Sequence, residues 1–137
     1  MDVKAFITDK GEHLMAEVLT EAYVYEPTTD CSKPTVEKVR ALWDTGANYC
    51  QITPELARKM GLHSLGQKEN NTAGGAFKGN VYRLGIKFGN IHVPHAYFGE
   101  SHGGGRFDII IGMNVISHGR FTLEGRGKER TFRFEVG

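Results

Sequence analysis

Apolar residues recur at every second position along much of the chain, the period of a half-buried strand. Residues 4–8 alternate weakly and predict a first strand, ended by the turn signal Asp9-Lys10-Gly11. Residues 13–25 predict a long strand, with Leu14, Ala16, Val18, Ala22 and Val24 on one face and Glu17 and Glu21 on the other. Met15, Leu19, Tyr23 and Tyr25 share that second face, so part of it is expected to be covered. Residues 36–43 repeat the pattern, Val39, Ala41 and Trp43 alternating with Lys38, Arg40 and Leu42. The last three of these are apolar, as where a strand enters a core. Residues 81–88 place Tyr82, Leu84, Ile86 and Phe88 on one side. Phe88-Gly89-Asn90-Ile91 predicts a two-residue type II′ turn. The returning strand, 91–98, is expected to turn Ile91, Val93 and Tyr97 to one face, and Pro94 to mark an edge or a bulge.

The period changes in two places. Thr53-Pro54-Glu55-Leu56-Ala57-Arg58-Lys59-Met60-Gly61 predicts a helix: Thr53 as N-cap, Pro54 at the first position, Gly61 as the stop. Its acid lies near the start and its bases near the end, which suits the dipole. Residues 113–117 predict a shorter helix, after the apolar run Phe107-Asp108-Ile109-Ile110-Ile111-Gly112. A polar hairpin over 67–84 turns at Ala73-Gly74-Gly75-Ala76, and its polarity marks it as a lid or a loop, not core. Residues 120–124 and 129–136 predict a closing hairpin around Gly125-Arg126-Gly127. Many short strands and one or two short helices make the class mainly β, a closed or nearly closed barrel.

Composition narrows the function. At 137 residues the chain is expected to form a single domain, 1–137. Lys plus Arg number 17 and Asp plus Glu 16, leaving no net field to draw nucleic acid or an anionic membrane. Late basic residues (Arg120, Arg126, Lys128, Arg130, Arg133) interleave with Phe121, Phe132 and Phe134, the pattern of an RNA-binding strand pair. Glu124, Glu129 and Glu135 dilute that charge, and a solvated face is the simpler reading. Cys31 and Cys50 have no metal-type spacing, and two cysteines make no disulfide framework; free thiols are expected, with a bridge between them left open. His92 and His95, three apart on a strand, would face opposite sides, so no metal site and no cofactor is expected. No signal-type segment and no apolar run near ~20 residues occurs, so a cytoplasmic protein with no membrane or nucleic-acid partner is expected, whether separate or cut from a longer polyprotein.

The candidate chemistry lies where the 36–43 strand stops, at Asp44-Thr45-Gly46-Ala47. Alone, such a tripeptide is an ordinary turn. Here it is followed in order by a short helix, a glycine-tipped hairpin at Gly74-Gly75 and the run Ile110-Ile111-Gly112. Over roughly residues 36–119 this combination resembles the retropepsin-like aspartic proteases, the single-domain family that includes the retroviral proteases. The resemblance implies a closed β fold and peptide hydrolysis by two carboxylates. Like charges that close cannot both ionise, so one keeps its proton and the other acts as base on water. The pair titrates as a unit. This chain has one Asp-Thr-Gly, and Asp2, Asp9, Asp30 and Asp108 lack that context. A two-fold homodimer would supply the second Asp44.

By the same resemblance, Thr45 would donate its hydroxyl across the dimer axis and Gly46 would offer backbone to the substrate. Ala47 and Asn48 would border the substrate. Gly74 and Gly75 would be the tip of a flap closing over an extended peptide, with Ala76 and Phe77 on its inner side. Ile110, Ile111 and Gly112 would back the Asp44 loop, with Ile111 close to the substrate. Mostly apolar pockets, and cleavage between hydrophobic residues, are expected. Asn48 and Met113 stand where many viral members carry an ion-paired Asp and Arg, so the viral dimer contact is not reproduced. The expected function is an aspartic endopeptidase active as a homodimer. The alternative is a catalytically silent module of the same fold that dimerises or binds extended peptides.

Overall fold

The computed structural model describes residues 2–27, 34–72, 75–102 and 105–137, and within 70–77 it describes backbone pairing only. Its strands are β1 (Ala5–Lys10), β2 (Leu19–Tyr25), β3 (Val36–Trp43), β4 (Cys50–Ile52), β5 (Gly66–Thr72), β6 (Gly75–Phe88), β7 (Ile91–Glu100), β8 (Ile109–Ile111), β9 (Arg120–Glu124) and β10 (Thr131–Val136). Two short helices, α1 (Pro54–Met60) and α2 (Met113–Ile116), interrupt them. Neighbours run in the order β2-β3-β8-β4-β7-β6, and β6 returns to pair with β2 through Tyr23↔Lys87 and Val24↔Ile86. The sheet is therefore a closed six-stranded barrel, and β5 hangs from the free length of β6. Closure leaves the barrel strands no unpaired seam.

Sequence explains most of these elements directly. In α1 the Thr53 hydroxyl accepts from the Leu56 amide at 3.3 Å, and Gly61 closes the helix at φ 62°. That φ is the left-handed conformation glycine adopts without strain. Leu56 and Ala57 are buried. Tyr82, Leu84, Ile86 and Phe88 all point into the barrel. Gly89 takes φ 58° and no described non-glycine residue, Asn90 included, has a positive φ, which fits a II′ turn and excludes I′.

Three expectations change. The strand expected over 13–25 is a single 3-10 turn, Glu12–Met15, followed by β2. Leu14 and Val18 are both buried, but the first lies in the 3-10 turn and the second in the link just before β2, and Ala16 is exposed. Second, β7 carries an extra residue against β6: Leu84 pairs with Ala96 while Ile86 pairs with Val93. The bulge at Pro94 and His95 shifts the alternation, so Ala96 and Phe98 are buried and Tyr97 is exposed. Third, the closing hairpin turns through a 3-10 segment, Gly127–Glu129, rather than a tight loop.

That hairpin joins the N-terminal strand in a second sheet of order β1-β10-β9. Its inner face carries Phe132 and Phe134, both fully buried, and half-buried Phe121. These rings are core, not an open stacking platform for bases. Trp43, the residue before Asp44, packs among them: its ring centroid lies 5.0 Å from those of Phe132 and Phe134 and 5.1 Å from Phe88. The Trp43 indole N–H donates to the Thr20 hydroxyl at 3.0 Å. One side chain thus ties the second sheet to the barrel directly beneath the Asp44 turn. Trp43→Ala is expected to cost about 3–5 kcal/mol of folding stability, measured by urea unfolding. A loss under about 1 kcal/mol would show that the aromatic cluster closes over the gap.

Candidate active site

β3 and β8 run parallel, pairing Ala41 with Ile109 and Trp43 with Ile111. The register carries on for one more step: the Asp44 amide donates to the Ile111 carbonyl at 3.0 Å. The chain then turns. The Asp44 carboxylate accepts the Gly46 amide at 2.8 Å, and the Ala47 amide returns to the Asp44 carbonyl at 3.2 Å. Backbone geometry therefore fixes the carboxylate while leaving it half-buried at an open surface. Thr45, Gly46 and Asn48 are exposed, and Ala47 is buried.

The second support comes from the start of α2. The Met113 amide donates to the Ala47 carbonyl at 2.7 Å, and the Asn114 amide to the Asn48 carbonyl at 3.0 Å. Gly112 makes this approach feasible, since a Cβ there would lie 2.5 Å from the Tyr49 carbonyl oxygen and 2.9 Å from that of Ala47. Ile111 is fully buried and is core rather than cleft wall; its link to the site is its carbonyl.

Asn114 is a site residue that sequence reasoning did not find. Its side-chain oxygen accepts from the Cys50 amide at 2.9 Å, and its NH₂ donates to the Tyr97 carbonyl at 3.1 Å. It joins the Asp44 loop, α2 and β7 in one network. Only its place in the helix after Ile-Ile-Gly hinted at this. Asp108 is engaged elsewhere: its carboxylate accepts the Arg40 amide at 2.8 Å and faces the Arg40 guanidinium at 3.4 Å. Arg40 precedes Asp44 by four strand residues, so Asp108 sits roughly 13 Å from the turn.

A cleft of about 520 Å³ opens beside Gly46, Ala47 and Asn48. Residues 49–51 continue its floor, Lys68, Glu69 and Val81 border it from β5 and β6, and Tyr97 to Glu100, with His102 beyond, close it on the β7 side. The wall is a mixture of aromatic, amide and charged groups, not the mostly apolar surface expected. Gly75, Ala76 and Phe77 begin β6, paired with Thr72, Asn71 and Asn70, so the two arms of the predicted hairpin exist. Gly74 and the side chains of Ala76 and Phe77 lie outside the described residues.

Cys50 is buried under the same loop, and burial pushes its thiol up to about 11 although the Gly112 amide acts in the other direction. Cys31 lies outside the described residues. Among the described residues no cluster of three or more His, Cys, Asp or Glu is placed to hold a metal, and no helix is long and apolar enough to cross a membrane.

Residues 35–115, more than half of the chain, match the family model described as aspartyl protease. The chain belongs to the aspartyl protease family. Its fold is that of the retropepsin-like members. The crystal structure of a retropepsin-like aspartic protease from Rickettsia conorii superposes on all of this aspartyl-protease chain and 98% of its own, with a TM-score of 0.63 at 15% identity. The retroviral protease-like domain of Ddi1 from Leishmania major matches 85% of the chain and 93% of its own, at 13% identity and a TM-score of 0.48. No curated protein matches the chain.

The Cys50 environment is directly testable. Below about 9, the ordinary thiol value, native and unfolded chains both hold the proton. As pH climbs to about 11 the unfolded chain releases it first, so this contribution to stability is lost across that interval. The native protein should resist iodoacetamide at Cys50 near neutral pH and take it up only on unfolding, as read by peptide mass spectrometry. Rapid native alkylation would contradict the buried placement.

Proposed function

We propose that this aspartyl-protease chain is an aspartic endopeptidase that works as a homodimer, each protomer supplying one Asp44. The observation that supports this is a carboxylate fixed by backbone in the turn whose next residues, Gly46 to Asn48, line an open cleft, with no second aspartate bonded to it among the described residues. Glu69 and Glu100 border the cleft, but among the described residues neither is bonded to Asp44, and the Glu100 carboxylate accepts the Asn80 amide. One chain therefore holds half of the pair that the chemistry requires. A two-fold axis through the Thr45 surface would complete it.

In that assembly a water lies between the two carboxylates. The ionised one removes its proton while the protonated one serves as acid, and the roles exchange as the amine leaves. Thr45 would hold the two loops together, and Gly46 to Asn48 would meet the substrate backbone. The β5–β6 hairpin, with Gly74 and Gly75 at its tip and Ala76 and Phe77 within, would close over the peptide. Because β10 is already paired on both sides within its own chain, a partner cannot interleave there. It would meet the loop surface and the free edges of β1 or β9. We read residues 1–137 as one such domain, since the buried cluster runs from Leu14 to Phe134. The reading needs no cofactor, and the free Cys50 suits a cytoplasmic setting.

The test is cleavage of a mixed peptide pool from acidic to neutral pH, with mass in solution measured alongside. Wild type should be dimeric and active with a bell-shaped pH profile, because cleavage needs one proton shared by the pair. Asp44→Asn should lose about a thousandfold or more. Activity retained in Asp44→Asn, or peptide binding by a dimer that never cuts, would overturn the reading.

A further inference from the structure

The cleft wall contains a contact between the catalytic loop and the hairpin arm above it. The Lys68 ammonium of β5 lies 4.2 Å from the ring centroid of Tyr49, five residues after Asp44. Tyr49 is half exposed, so the ring offers an open face to the cleft. A lysine on a strand is ordinarily a mobile charge. The ring quadrupole holds this one over the substrate path and occupies one side of it, leaving its other N–H donors directed away from the ring.

Among the described residues no carboxylate pairs with Lys68. Glu69 follows it in β5, and strand alternation turns its side chain to the face that carries Lys78. Glu69 and Glu100 both border the cleft; Glu69 stands opposite Lys78 in the β5–β6 register, and the Glu100 carboxylate accepts the Asn80 amide at 2.5 Å. The outer part of the cleft thus presents a positive charge positioned on an aromatic ring and joined to neither of the carboxylates that share the cleft.

We propose that Lys68, held by Tyr49, forms a subsite that selects an acidic side chain of the bound peptide. The inference rests on the endopeptidase reading and adds its substrate class. An Asp or Glu of the peptide would reach the ammonium while the Tyr49 ring packs against its methylenes. In a two-fold dimer the subsite occurs twice, so the preference falls at matched positions on both sides of the cut.

The experiment uses the full chain and labelled peptides with a fixed central apolar pair. Successive flanking positions carry Glu, Gln or Lys in turn. Binding is read by fluorescence anisotropy in the Asp44→Asn protein, and kcat/KM in the wild type. Glu is expected to exceed Gln by about fivefold at one pair of positions, the order of a partly exposed ion pair. The preference should vanish in Lys68→Met, persist in Lys68→Arg and invert towards Lys in Lys68→Glu. Each protein is compared with its own Gln peptide, so a general effect on folding cancels. Cleavage and binding both blind to charge would overturn the subsite and leave the endopeptidase reading standing. A preference for Lys would assign the wall to Glu69 and Glu100 and also overturn it. A Glu preference in binding, with no peptide cut by wild type, would keep the subsite and remove the catalytic reading.

Discussion

The constraint on which the site depends is the close passage of the Asp44 loop over Gly112. Two carbonyls, those of Ala47 and Asn48, turn down to accept the first amides of α2. They can do so only because position 112 has no side chain, with the Tyr49 carbonyl already 2.5 Å from where a Cβ would stand. Buried backbone groups must be paired, and here pairing fixes the loop that carries the carboxylate. The same loop is held from the other side by the Ile111 carbonyl on the Asp44 amide. Asp44 is therefore positioned by main chain on both flanks and needs no charged neighbour to orient it.

Around this point the molecule is layered. Trp43 anchors the end of β3 in an aromatic cluster that the terminal sheet shares with the barrel. Asn114 adds a side-chain bridge from the start of β4, just after the Asp44 loop, to β7. The barrel is closed by strands far apart in sequence, and the parallel β3–β8 pair places an early loop and a late helix together. Long-range pairing of this sort builds a rigid floor, while β5 and the first half of β6 stand clear of the barrel as a hairpin. A rigid floor and a projecting hairpin are the two parts a peptide cleft requires.

Much of this is legible in the sequence because local rules and tertiary structure agree. The β3 alternation, the Thr53–Gly61 caps and the Tyr82 to Phe88 face need no distant information. Legibility fails where two local geometries share one pattern. Leu14 and Val18 fit a continuous strand, yet a 3-10 turn buries the first and β2 follows the second. Pro94 signals a bulge, but the phase change that exposes Tyr97 depends on where the extra residue meets β6. At the site, Asp44, Thr45 and Gly46 are visible as a motif. Asn114, Tyr49 and Lys68 are not, because an amide on a short helix or a lysine on a polar strand reads as surface. Their significance comes only from partners 64 and 19 residues away: Cys50 for Asn114, and Tyr49 and Lys68 for each other.

The central claim is that one protomer contributes one of two required carboxylates. Mixing wild type with Asp44→Asn, allowing subunits to exchange and measuring rate against composition tests it most directly. If two Asp44 residues act together, an equal mixture should retain about a quarter of the wild-type rate, since only wild-type pairs are active. A rate that falls in simple proportion, to about half, would contradict the account.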